Sequence, residues 1–139
     1  MSVVQKQLTL EPYEKGFHII TDIVMDAIPE IKSVDAGILH VFIKHSSASL
    51  TINEGADPDV RHDFEAHFDH VVPELASYFL HMVEGPDDMP GHIKASILGS
   101  SVTIPITKGK LGLGAWQGIY FGEHRISRRA RKLVITLYA

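Results

Sequence analysis

Apolar and polar positions alternate with the two-residue period of a strand in several short stretches of this chain. "KQLTL" (residues 6–10) and "GFHIIT" (16–21) read as a first pair of strands, joined by a turn through Pro12, Tyr13, Glu14, Lys15 and Gly16. "GILHVFIKH" (37–45) is apolar on both alternating faces, with Leu39, Val41 and Ile43 on one side and Ile38, His40 and Phe42 on the other. That pattern predicts a strand covered from both directions. "SLTIN" (49–53) is expected to pair with it across the "KHSSA" bend. Further strands are predicted at "SVTIPI" (101–106), "GAWQGIYFG" (114–122) and "RKLVITLYA" (131–139). Pro105 confines the first of these to an edge or a bulge, because it has no N–H to give to a ladder.

Between the strands the period changes to that of a helix. Ile23, Ala27 and Ile31 are helically spaced, Thr21 or Asp22 offers a cap, and "KSVDAG" ends the element. Residues 57–72 carry a fuller pattern: Asp57 precedes Pro58 at the first helical position, Asp59 sits in the first turn, and Val60, Phe64, Phe68 and Val71 form the apolar stripe. "ELASYFLHMVE" (74–84) reads as a short helix stopped by Gly85 and Pro86, and "GHIKASILG" (91–99) as another that Gly99 can end. The sum is seven or eight strands with two or three helices, not strictly interleaved. This predicts one α+β domain, residues 1–139, built on a largely antiparallel, double-layer sheet (a sandwich). With 139 residues, two domains are not expected.

Composition narrows the function classes. The chain has no cysteine, which excludes disulfides, thiolate metal sites and cysteine nucleophiles. No basic, apolar leader opens the chain and no apolar run approaches the length of a membrane span, so a cytoplasmic protein without a membrane partner is expected. A formal net charge of −4 argues against a nucleic-acid surface. The exception is the basic run "RISRRARK" (125–132), read chiefly as a solvated face, with one or two arginines available to a phosphate. Nine histidines are the oddity, and imidazoles neutral at pH 7 suit metal binding or acid–base chemistry.

Several stretches could carry that chemistry. In "HSSAS" (45–49) no glycine flanks the serines, so a nucleophile elbow is not supported, and the hydroxyls are expected to satisfy backbone groups. "NEGADPDV" (53–60) has oxygen ligands but not calcium-loop spacing. There Asp57 is expected to cap the helix, while Asn53 stays open as a substrate contact. Asp59, Asp63, His67 and His70 line one margin of a helix, as any amphipathic boundary in a His-rich chain can. "HMVEGPDDMPGHIKAS" (81–96) is richer: His81 would end one helix and His92 begin another, with Glu84, Asp87 and Asp88 between. Brought beside His45 at a strand end, the two would make a three-histidine zinc site with an open position, although spacing alone does not establish that they converge. The free amides of the "GHIKAS" helix and Lys94 would favour an anion there. The glycines of "GLGAWQGIYF" are too irregular for a nucleotide loop, so no nucleotide cofactor is expected. Trp116 and Gln117 could serve a ring or simply pack.

Taken in order, "HSSASLTINEGADPDV", "GPDDMPGHIKASILG", the strand Ser101–Ile106 and "GKLGLGAWQGIYFGEHR" resemble the YjbQ-like family, whose members are often described as secondary thiamine-phosphate synthases. The resemblance runs from about Lys6 to Leu137. It implies a sandwich of sheets assembling as a homotrimer, with His45, His81 and His92 at a pocket that holds a divalent metal, zinc foremost, or an anion. Asn53, Asp57, Asp88, Gln117 and Glu123 match further polar positions of the family pattern. The implied reaction joins hydroxymethylpyrimidine diphosphate to a thiazole phosphate and releases pyrophosphate, with Lys94, helix amides and a cation stabilising the diphosphate. A zinc-dependent hydrolase of a phosphorylated small molecule, or a non-catalytic metal-binding trimer, are the alternatives. Two departures stand out. Ala115 replaces a threonine common in the family, and "HRISRR" replaces an Asp-Gly-Pro-Arg turn after Glu123, leaving Arg128 as the nearest equivalent of that arginine.

Overall fold

The computed structural model describes residues 2–139. Its strands are β1 (Val3–Leu10), β2 (Gly16–Ile19), β3 (Ala36–Ile43), β4 (Ala48–Glu54), β5 (Ser101–Thr107), β6 (Lys110–Leu111), β7 (Gln117–Glu123) and β8 (Arg131–Tyr138). The α-helices are α1 (Thr21–Ala27), α2 (Pro58–Val71) and α3 (Asp88–Leu98), and a 3₁₀ turn at Pro29–Ser33 follows α1. Two antiparallel sheets form, ordered β1-β8-β3-β5-β6 and β2-β7-β4. One core fills the space between them: Leu39, Val41, Ile43, Ile104, Leu133 and Ile135 from the large sheet meet Leu50, Ile119 and Phe121 from the small one. Val24 of helix α1 and the residues flanking the helix, Ile20 and Ile28, join the same core. The expected α+β sandwich is therefore present.

Aromatic packing fixes the third layer. Phe17 of β2 lies against Phe64 and Phe68 of α2 at ring-centroid distances of 5.6 and 6.1 Å, and Phe64 lies 5.4 Å from Tyr120. Neighbouring residues of β7 thus serve different layers, Phe121 the sheet–sheet core and Tyr120 the helix interface. Asp57 caps α2 as expected, accepting a hydrogen bond from the Asp59 amide at 2.9 Å. At α1 the expected cap is absent. Thr21 Oγ1 instead accepts from the Ile119 amide at 2.9 Å, pinning α1 to β7.

Three further expectations fail, each for a physical reason. β3 does not pair with β4; its neighbours are β5 and β8, and β4 pairs with β7. The "KHSSA" bend carries the chain from one sheet to the other, which lets each bury one apolar face. Nor is β3 covered on both sides in the single chain: Ile38 and Phe42 are 46% and 41% exposed. Finally, residues 74–84 are not helical. Leu75 takes a left-handed φ of 58°, and Leu75, Tyr78, Leu80 and Val83 all face solvent, so no buried stripe supports a helix there. Pro105 lies in β5, which only the two-residue β6 separates from the sheet edge.

Candidate functional site

Helix α3 starts at Asp88, three residues earlier than the sequence suggests, and this places Asp88 and His92 one turn apart on the same face. His81, in the irregular segment before α3, folds back onto them. His81 Nε2 donates to Asp88 Oδ2 at 2.6 Å, and the two imidazole rings lie 5.3 Å apart, centroid to centroid. His92 Nδ1 is 3.0 Å from the backbone oxygen of Ser46, an atom that can only accept, so Nδ1 carries a proton. Nε2 of His92 then points at Asp88 Oδ2, 3.2 Å away. A proton or a cation on Nε2 makes that contact attractive.

Asp88 is buried, and its other oxygen is held by Arg125, whose Nη1 donates to Oδ1 at 2.6 Å. Burial works against the charged carboxylate, but the His81 hydrogen bond and the electrostatic pull of His92 and Arg125 outweigh it. The carboxyl is held below the usual carboxylate range. One nitrogen from each of His81 and His92 and one Asp88 oxygen lie within 4.8 Å of one another, the one such three-donor group among the described residues. Zinc bonds of about 2.0–2.1 Å need tetrahedral donors about 3.3 Å apart. The His92–Asp88 spacing meets this already, and the His81–Asp88 hydrogen bond would open by less than 1 Å. The Ser46 carbonyl that fixes the His92 tautomer is the outer-shell partner such ligands normally have. The donor set fits a divalent transition metal.

His45 lines the same cleft, of about 350 Å³, but is not in the donor group. Its Nε2 accepts the Lys132 amide at 2.8 Å, which leaves the proton on Nδ1. Burial first, and then Arg131, pull its pKa below the ordinary value, so the ring is neutral at pH 7. His45 therefore offers the cleft an N–H, not a lone pair, and the three donors that the fold brings together are two histidines and an aspartate in place of the expected three histidines. If a metal occupies these donors, elemental analysis of zinc-supplied protein is expected to find it kept in folded His45→Ala and lost in His81→Ala and His92→Ala.

The other expected contacts divide. Lys94 lies two positions from His92 on α3, hence on the opposite side. Its ammonium is buried and pairs with Asp69 at 2.5 Å, away from the cluster. Glu123 is fully buried and forms a two-point pair with Arg131, with Nε to Oε1 at 2.8 Å and a second bond from Nη2 to Oε2. Its role is to hold Arg131, which also donates to Ser47 Oγ. Arg128 points to solvent and pairs with Glu14 at 2.7 Å, outside the cleft. Asn53 Oδ1 accepts the Glu54 amide and Gln117 Oε1 the Gly114 amide, both turn contacts. These two, with Asp57, the 68%-exposed Trp116 and its neighbour Ala115, occupy the end of the small sheet remote from Glu123. Six residues of β7 put that end about 20 Å from Glu123.

Sequence reasoning read the arginines of residues 125–132 chiefly as a solvated face, with one or two available to a phosphate. Arg125, Arg129 and Arg131 line the cleft with Lys44, and Arg125 and Arg131 are buried, not solvated. Arg131 shares strand parity with Leu133, Ile135 and Leu137, and that parity marks it as inward-facing. His124 was missed. It is 1% exposed, with Nε2 2.9 Å from Ser49 Oγ and Nδ1 without a partner. Gly122 makes room for this contact, since a Cβ there would meet the His124 ring at 2.8 Å. Burial above all, and then Lys94, depress the His124 pKa from 6.5 to about 3. As pH falls below 6.5 the unfolded chain takes up a proton that folded His124 refuses, so stability drops until about pH 3. The contribution is up to about 1.4 kcal/mol per pH unit. Urea unfolding of His124→Gln is expected to show that much less slope than wild type over this window.

Comparison with known proteins gives a family but no activity. The family model described as "UPF0047 protein YjbQ-like" matches residues 6–139. UPF0047 protein YjbQ of Escherichia coli is 47% identical over 133 residues, covering 96% of both chains. Its Salmonella typhimurium namesake is 50% identical over the same length and coverage. An uncharacterized conserved protein of the YjbQ/UPF0047 family from Clostridium acetobutylicum superposes with a TM-score of 0.83 at 41% identity, covering 95% of this chain and 98% of that one. Helices α1–α3 and the two antiparallel sheets are thus a shared architecture, and none of the described helices is long and apolar enough to cross a membrane. The chain belongs to the YjbQ-like UPF0047 family.

Proposed function

We propose that this protein is a metal-dependent enzyme acting on a phosphorylated small molecule in the cleft beside His81, Asp88 and His92. The observation that carries the proposal is the gathering of two imidazole nitrogens and one carboxylate oxygen within 4.8 Å of one another. His81, Asp88 and His92 would hold a divalent ion, zinc by the donor set, which would supply Lewis acidity toward a phosphate oxygen or a water. The chain's own residues do the rest. Lys44 and Arg129 face the cleft without a carboxylate partner among the described residues and meet the phosphate charge. The fixed His45 Nδ1–H is a further donor, and Ser46 orients His92. Lys94 takes no part.

The reaction implied by the family resemblance is the thiamine-phosphate synthase type. The bond from the pyrimidine methylene to the diphosphate oxygen breaks, its electron pair leaves with diphosphate, and the thiazole nitrogen forms the new C–N bond. Hydrolysis of a phosphorylated compound is the second reading. What favours it is the cleft's polar lining, which among the described residues includes no Phe, Tyr or Trp to sandwich two substrate rings. Incubating the zinc-loaded protein with hydroxymethylpyrimidine diphosphate, with and without thiazole phosphate, separates them. Thiamine phosphate formed in step with pyrophosphate supports the synthase. Phosphate release that ignores the thiazole supports the hydrolase, and no turnover leaves a metal-binding protein.

The proposal extends to a homotrimer in the cytoplasm. Its support is the outer face of the large sheet, where register aligns the row Val3–Tyr138–Ile38–Pro105, then Gln5–Thr136–His40–Thr103, then Gln7–Val134–Phe42–Ser101. None of these twelve residues is an Asp, Glu, Lys or Arg, although 22% of the chain is. Uncharged, partly apolar faces of this kind mark protein interfaces. Ile38→Asp with Phe42→Asp is expected to convert the trimer to monomer in sedimentation velocity.

A further inference from the structure

The two oxygens of Asp88 have different neighbours. Oδ2 faces His81 Nε2 and His92 Nε2, and Oδ1 accepts from Arg125 Nη1 at 2.6 Å. Arg125 cannot swing away from this contact. Its Nε donates to Asp87 Oδ2 at 3.0 Å and its Nη2 donates to the Glu84 backbone oxygen at 2.8 Å. Asp87 Oδ2 is fixed in turn by the Ile126 amide at 2.8 Å. Gly85 has a φ of +110°, open to few residues besides glycine, and turns the chain so that Glu84 presents that oxygen. With its side chain 6% exposed, the guanidinium forms one wall of the cleft.

We propose that Arg125 determines which metal the cluster takes: by occupying Oδ1 it confines Asp88 to a single oxygen ligand, so the site selects zinc-like ions over oxygen-seeking ions such as manganese. This rests on the metal reading of the cluster given above. Two imidazoles and a one-oxygen carboxylate leave one position open on a tetrahedral ion, which suits zinc. Manganese, magnesium and calcium favour more oxygen ligands and, for calcium, two-oxygen carboxylates. Freeing Oδ1 would give Asp88 the second ligand atom those ions want. The guanidinium charge repels every divalent ion alike, so it cancels in the ratio of two divalent affinities. That ratio reports ligand geometry alone, and a general loosening of the site would weaken both metals together.

The test measures affinities for zinc alone and manganese alone, by chelator competition, in wild type and Arg125→Gln. Because Arg125→Gln leaves Asp87 without its buried partner, the double variant Asp87→Asn/Arg125→Gln provides a second route that removes both charges. Wild type is expected to prefer zinc strongly. In the folded variants the zinc-to-manganese ratio is expected to fall by about 10-fold or more, within the range seen when a ligand's outer-shell partner is lost. An unchanged ratio in a folded variant, with zinc still bound by wild type, overturns the role of Arg125 alone. Wild type that binds neither metal overturns the metal reading of the cluster, and this inference with it.

Discussion

Asp88→Asn is expected to remove zinc binding while leaving a folded protein. Asp88 is the one negative group of the proposed ligand set, and its Oδ2 is the atom both rings face. In the variant, the amide NH₂ directed at the rings would offer hydrogens where an ion needs a lone pair. The fall in affinity should exceed the roughly 10–100-fold that losing an outer-shell partner costs. Stability should fall less dramatically, by about 1–3 kcal/mol. Arg125 keeps Asp87 and the Glu84 carbonyl, and an asparagine oxygen can still accept from Nη1. Zinc–chelator competition and urea unfolding, run on the same preparation, separate the two effects. A variant with wild-type zinc affinity would remove Asp88 from the ligand set.

The second large effect concerns the Glu123–Arg131 pair. Both side chains are essentially inaccessible, at 0% and 2% exposed, and they meet through two hydrogen bonds. Removing one partner strands the other charge in the interior. Glu123→Leu is therefore expected to cost about 3–5 kcal/mol in urea unfolding. The double variant Glu123→Leu/Arg131→Met leaves no charge behind and is expected to recover most of that loss. The same pair supports the cleft, because Arg131 also holds Ser47, next to the Ser46 carbonyl that orients His92. A Glu123→Leu protein as stable as wild type would show that the pair contributes nothing net.

The two-residue and 3.6-residue periods were enough to place nearly every strand and helix, because each element buries one regular face. They failed where burial depends on what lies across the sheet. The sequence of β3 shows two apolar faces, but only the contacts of the folded chain show that one is left open. Residues 74–84 have helix-forming composition but no surface to pack on, so a left-handed Leu75 and exposed Leu80 and Val83 result. In the site, His81, His92 and Asp88 were legible because they crowd into twelve residues of one motif. His45 was legible as a neighbour, but its role turns on a backbone amide 87 residues away in sequence. Lys94 could have been set aside from the sequence, since residues two apart on a helix lie about 200° apart around its axis. Arg125 could not, because nothing local distinguishes its buried fork from the exposed arginines that follow.

Anomalous diffraction at the zinc edge, from crystals grown with zinc, addresses the central claim most directly. The proposal predicts one peak per chain about 2.0–2.2 Å from His81 Nε2, His92 Nε2 and Asp88 Oδ2, with His45 still accepting from the Lys132 amide. No peak at that position, or a zinc ion bound to His45 in place of Asp88, would contradict it.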